Sequence, residues 1–242
     1  MRAAAATILF LVSLSLTGCA EFPQKAGGSA PPGGYYTVSR GDTLYSIAWR
    51  HNLDYRAVAR WNDIGAPYTI YPGDRLRLSP PPRPAGGRST ARTEPDPEPP
   101  RQQDPASVTP RAERNVPDSA LSWQWPTAGP IRRAFSNGQS GKRGIELGGD
   151  AGQAIHAAAG GRVVYSGNGL RGYGNLVIIK HNTRFLTAYG YNRRLLVKEG
   201  EEVQPGQRIA LMGMGPDNAP ALHFELRRDG KPVDPGRVLP AR

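Results

Sequence analysis

The sequence predicts two folded units on one chain: a small α+β unit ordered strand, helix, helix, strand, and a larger all-β unit. A disordered Pro-rich linker joins them. Three observations carry this reading. Helical spacing of apolar residues is confined to a stretch of about 45 residues near the N-terminus. Short apolar runs broken by Gly, Asn and Pro fill the last 120 or so. Between them, residues 80–120 hold eleven of the 24 prolines and no apolar periodicity, so they cannot bury enough surface to fold.

The chain opens MRAAAATILFLVSLSLTGCA. A basic start, a short apolar run and a small-residue exit make an export signal over residues 1–18, too short for a spanning helix. The exit Leu16-Thr17-Gly18-Cys19 resembles the bacterial lipobox, which implies cleavage before Cys19 and lipidation of its thiol. Ala20 after the cysteine then implies delivery to the outer membrane. Cys19 is the single cysteine, so no intramolecular disulfide can form. Residues 19–34 read as a tether. The chain carries 31 Lys and Arg against 20 Asp and Glu, a balance that suits an anionic partner. Export excludes nucleic acid and leaves cell wall, lipid or another envelope protein.

In residues 35–79, Tyr36-Thr37-Val38 is strand-like and Gly41-Asp42 breaks it. Asp42 or Thr43 caps a helix carrying Leu44, Ile47 and Ala48 on one face. A second helix starts near Asp54 with Tyr55, Val58 and Ala59 inward, and Pro72-Gly73-Asp74 turns into a strand with Leu76 and Leu78. YTVSRGDTLYSIA, ARWN and IYPGDRLRL together resemble a LysM domain. That resemblance implies binding of N-acetylglucosamine-containing glycans, hence peptidoglycan, in a groove between two loops. Those loops carry Gly41, Asp42, Thr43 and Leu44, and Asn62, Ile70, Tyr71, Pro72 and Gly73.

The linker, residues 80–120, balances six basic against six acidic residues. Its prolines favour extended segments, which predicts two mechanically uncoupled domains.

Residues 121–242 hold most of the positive charge, seventeen basic groups against nine acidic. Near the end, PALHFELRRDG alternates: Leu222, Phe224 and Leu226 point one way, His223, Glu225 and Arg227 the other. GRVVYSG, GYGNLVIIKH, VKEGEEVQPGQRIALMG and LHFELRRDG resemble, in that order, the M23 (LytM-like) metallopeptidase domain. Active members of that family hold zinc through HxxxD and the last histidine of HxH, with two further histidines assisting water. Here Lys142 and Glu146 stand at the HxxxD positions, Tyr191 at one assisting histidine and Ala221 at the other; His223 alone is kept. Catalytic zinc takes about three protein ligands and an open position, so the expectation is a degenerate, non-catalytic domain with no cofactor. A hammerhead turn for a biotinyl or lipoyl group is excluded, since the hairpin tip is Met212-Gly213-Met214 without an exposed lysine.

A lipobox, a LysM unit, a Pro-rich linker and a degenerate M23 domain together resemble the murein hydrolase activator NlpD family. The resemblance implies activation of a periplasmic N-acetylmuramoyl-L-alanine amidase during septal cell-wall splitting and daughter-cell separation, with enrichment at the septum. The expected amidase-binding groove is lined by Arg143, Glu146, Tyr173, Tyr189, Tyr191, His223 and Arg227, while Arg132, Arg133, Arg193 and Arg194 read as solvated. An active zinc endopeptidase and a passive wall-binding tether remain as rivals.

Overall fold

The computed structural model describes residues 34–82, 116–136 and 143–241. Cys19, Lys142, the leader, the N-terminal tether and most of the linker lie outside the described residues.

The N-terminal domain is β1 (Tyr35–Thr37), α1 (Leu44–Arg50), α2 (Tyr55–Trp61) and β2 (Arg75–Arg77). Local signals fix it. Thr43 is extended, its hydroxyl accepts from Ser46 N, and Ser46 Oγ accepts from Thr43 N, closing a capping box at α1. Asp54 caps α2 by accepting from the backbone N–H groups of Arg56 and Ala57. β1 and β2 pair antiparallel with Tyr36 opposite Leu76. Leu44, Ile47, Ala48, Val58, Ala59 and Leu76 form the core, as the helical spacing predicts.

The C-terminal domain is a single antiparallel sheet of β3 (Ile131–Ser136), β4 (Gly144–Gly148), β5 (Ala154–His156), β6 (Gly161–Gly167), β7 (Asn175–Lys180), β8 (Phe185–Leu195), β9 (Glu202–Val203), β10 (Arg208–Met214), β11 (Pro220–Arg228) and β12 (Lys231–Val233). β11 lies between β4 and β8; beyond β8 come β7, β6 and β9. One face of the sheet buries Val163, Val177, Ile179, Tyr189, Leu222 and Phe224 in a core of its own.

The domain begins earlier than its apolar runs suggest. A 3-10 turn at Asp118–Ala120 is tied down because Asn182 Nδ2 donates to Asp118 Oδ1 at 2.8 Å and Arg184 Nη1 pairs with Asp118 Oδ2 at 2.7 Å. Residues 116–120, assigned to the linker by composition, therefore belong to the folded body.

The larger departure concerns the opposite face of the sheet. Tyr165, Leu176, Ile178, Leu186 and Ala188 project there and share one continuous apolar cluster with the N-terminal domain's core. Polar contacts ring this junction. Thr43 Oγ1 donates to Val164 O at 3.1 Å, and Trp49 Nε1 to the Tyr173 hydroxyl at 3.3 Å. The Arg56–Asp229 ion pair closes at 2.9 Å, and the Lys180 ammonium sits 5.5 Å from the Tyr55 ring centroid. The two domains are docked, not uncoupled: burying that apolar face outweighs the freedom a Pro-rich connection allows.

Candidate functional site

The row of residues that the zinc family would use crosses three strands. His223 on β11 pairs with Glu146 on β4 and Gly190 on β8, and Ala221 pairs with Gly148 two residues away. Paired residues share a face, so Glu146 and His223 stand side by side on the face that the N-terminal domain partly covers. β4 comes this close because residue 144 is glycine: a Cβ there would lie 2.4 Å from Phe224 O.

Glu146 is held by Arg133, whose Nη2 donates to Oε1 at 2.5 Å. Arg133 was read as solvated and is instead this carboxylate's counter-ion, a cross-strand pairing of β3 and β4 that periodicity does not reveal. The His223 ring packs against Tyr173 and Tyr191 at centroid distances of 5.3 and 5.6 Å. Neither of its nitrogens has a hydrogen-bond partner; Glu225 Oε2 is 3.7 Å from Nε2.

Along β11 the polar face is as buried as the apolar one: His223, Glu225 and Arg227 are 2 %, 0 % and 1 % exposed. Arg227 Nε donates to Glu225 Oε1 at 2.7 Å, its Nη1 donates to Trp49 O at 3.1 Å, and its guanidinium stacks 3.7 Å from the Trp49 ring centroid. The Tyr173 hydroxyl donates to Glu225 Oε2 at 3.2 Å while accepting from Trp49. Burial alone would raise the Glu225 carboxyl, but Arg227 and then His223 outweigh it and hold it below the usual range. Burial pushes the Tyr173 hydroxyl well above its ordinary value.

Two expected groove residues are therefore corrected. Arg227 is no open wall; it lies under α1 as the centre of the domain contact. Tyr189 does not share a face with Tyr191. Tyr191 sits at φ 65°, a left-handed backbone that turns its ring onto His223, whereas Tyr189 packs on Phe224 in the sheet's own core. The Tyr189 hydroxyl accepts from Ala158 N at 2.8 Å. Glu146, Tyr173 and Tyr191 gather around His223, with Tyr173 shared between this cluster and Trp49; Arg143 stands just before β4, three residues from Glu146.

The implied zinc does not fit this donor set. Among the described residues, no group of three His, Cys, Asp or Glu side chains could hold a metal ion. The imidazole has two carboxylates near it, Glu146 and Glu225, and each is already engaged by a guanidinium.

The expected glycan-binding loops also divide. Leu44 is buried in the core, so its side chain faces away from any ligand. Asn62 is structural: its amide donates to Val58 O and Arg77 O and accepts from Arg77 N. Asp42 accepts from Tyr36, Ser39 and Arg50. Tyr71, Pro72 and Gly73 are exposed and Ile70 partly so, with Gly73 at φ 101° shaping the turn.

The LysM domain family matches residues 36–79 and peptidase family M23 matches residues 140–235. Over 249 residues the chain is 43 % identical to the lipoprotein NlpD/LppB homolog of Pseudomonas aeruginosa, covering 91 % of this chain and 82 % of that one. The chain belongs to the NlpD/LppB lipoprotein family. Another relative is the murein hydrolase activator NlpD of Escherichia coli, at 38 % identity over 89 % of this chain and 71 % of that one. The lipoprotein YgeR of E. coli is 38 % identical over 96 % and 91 %. The buried Trp49–Arg227 contact lies where this chain's LysM and M23 units meet. No helix among the described residues is long and apolar enough to cross a membrane.

Proposed function

We propose that this lipoprotein, anchored to the outer membrane through lipidated Cys19, grips peptidoglycan with its LysM domain. Its M23 domain then activates a periplasmic N-acetylmuramoyl-L-alanine amidase at the division septum. The domain acts as a binding surface and not as a peptidase. The observation that carries this reading is the chemistry around His223. Tyr191 and Ala221 occupy the places of the assisting histidines, and Arg133 neutralises Glu146. One imidazole without a free second donor neither holds a catalytic zinc nor supplies a base for water. Relatives bearing the name murein hydrolase activator support the same reading.

The binding groove is the end of the sheet where the partly exposed Arg143 and Glu146 form the rim and the buried Tyr191 and His223, with the Tyr173 ring, form the floor. Tyr and Arg are the residue types that most often anchor interfaces. The glycan groove keeps Asp42, Thr43, Ile70, Tyr71, Pro72 and Gly73 as its rim. An activator of this kind acts by binding its amidase's open state better than the closed one. Dye release from labelled peptidoglycan by amidase, with and without the full chain, tests the reading, together with metal analysis of the purified protein. Stimulation that Arg143→Glu weakens, with zinc far below one per chain, is expected. Peptide release without amidase, accompanied by stoichiometric zinc, overturns it.

A further inference from the structure

Docking of the two domains builds a cleft that neither makes alone. Its volume is about 470 Å³, within the range of small-ligand sites. One side is the loop from Asp42 to Tyr45 and the loop from Ala66 to Ile70. The other side comes from the C-terminal domain: Arg162, Val163 and Val164 of β6, with Glu199 and Gly200 of the turn before β9. The Thr43–Val164 hydrogen bond holds the first loop on β6. Of the residues assigned to the LysM glycan groove, Asp42, Thr43, Leu44 and Ile70 line this cleft, so the M23 domain forms the facing wall of that part of the groove.

The geometry points to a composite carbohydrate site, in which a neutral N-acetylglucosamine oligomer lies between the LysM loops and the M23 residues Arg162 and Glu199. This rests on the glycan-binding reading of the LysM domain and extends it to residues of the other domain. The lining has the chemistry a sugar ring needs. The half-buried Tyr68 and Ile70 contribute apolar surface for C–H faces and acetamido methyls, over a floor closed by the buried Leu44, Tyr45 and Val163. The Arg162 guanidinium and the Glu199 carboxylate offer donors and acceptors for hydroxyl and amide groups. Arg162 reaches this wall while pairing with Glu202 at 2.7 Å, both side chains being well exposed, so it can exchange that partner for a ligand at little cost. A ligand that touches both walls also favours the docked state, and docking favours the ligand by the same factor.

The test is calorimetric titration of the full chain with a pentamer of N-acetylglucosamine. Three proteins are compared: the parent, Arg162→Ala/Glu199→Ala, and Ile70→Asp as a change on the LysM side. The conservative pair Arg162→Lys/Glu199→Gln serves as a fourth, and thermal melts verify folding of each. Expected are a large loss for Ile70→Asp, about tenfold weaker binding for the alanine pair, and a smaller loss for the conservative pair. Parent-like affinity of the alanine pair, with Ile70→Asp still defective, overturns the composite site and leaves the groove to LysM alone. Unimpaired binding by Ile70→Asp places the sugar elsewhere and also overturns it. No binding by the parent removes the glycan reading itself, and this inference with it.

Discussion

Arg227→Met removes the cation that lets Glu225 exist charged inside the domain contact. Both side chains are fully buried, and the pair closes at 2.7 Å. In the variant, Glu225 must either stay ionised without its counter-ion or bind a proton. Holding a carboxyl of ordinary value 4.5 neutral at pH 7 costs about 3.4 kcal/mol, at 1.36 kcal/mol per pH unit. That falls inside the roughly 3–5 kcal/mol seen when one partner of a buried ion pair is removed. The sign with pH reverses. In the parent, Glu225 has a depressed value, so its contribution is present above pH 4.5 and lost as pH falls through the lower folded value. In the variant the folded value is raised, so acidification relieves the penalty, and the gap to the parent should shrink by about 2 kcal/mol between pH 7 and 5.5. Urea unfolding at both pH values measures the gap. Glu225→Gln/Arg227→Met should recover most of the loss, since it removes the uncompensated charge. A single variant that loses under about 1 kcal/mol, with a gap independent of pH, would refute the argument. By the same reasoning Arg227→Glu, which places two carboxylates together in a buried site, should destabilise the fold more than Arg227→Met.

Two further perturbations follow from named contacts. Fully buried His181 donates from Nδ1 to Gly160 O and accepts at Nε2 from Thr187, and burial lowers it to about 4. It stays neutral while its unfolded counterpart protonates near 6.5, so stability should fall between pH 6.5 and 4, by about 2 kcal/mol at pH 5; His181→Gln should flatten that part of the melting-temperature profile. Thr43→Ala removes both the α1 cap and the bond to Val164, and should cost about 1–2 kcal/mol of LysM stability in hydrogen exchange, whereas Thr43→Ser should restore most of it.

What the residues announced was local. Thr43, one of two expected caps, closes α1, and α2 starts at Asp54 as its start was read, because capping depends on the next three residues alone. The alternation in β11 correctly sent Leu222, Phe224 and Leu226 to the sheet's core, because a strand's period is a backbone property. What surrounds the other face was not local. Trp49 and Arg227 are 178 positions apart, and no spacing rule links them. An arginine on a polar strand face reads as solvated until another domain is known to lie over it. Tyr191 escaped for a different reason: a non-glycine residue at φ 65° breaks the two-residue rule, and nothing in AYGYN distinguishes it from Tyr189.

Because the LysM and M23 domains are one chain, their docking is a unimolecular equilibrium. A covalent connection supplies the neighbour at an effective molarity that two separate proteins reach only in concentrated solution. The contact can thus be too weak to survive as a complex of separated domains and still be the resting arrangement of the intact chain. Cutting the chain between residues 82 and 116 changes more than length. It uncovers Tyr165, Leu176, Ile178 and Leu186, and strips Arg227 of its aromatic lid. A C-terminal fragment prepared for binding work therefore presents a sticky apolar face that the whole lipoprotein keeps shut, and it would recruit partners there that the intact molecule never meets.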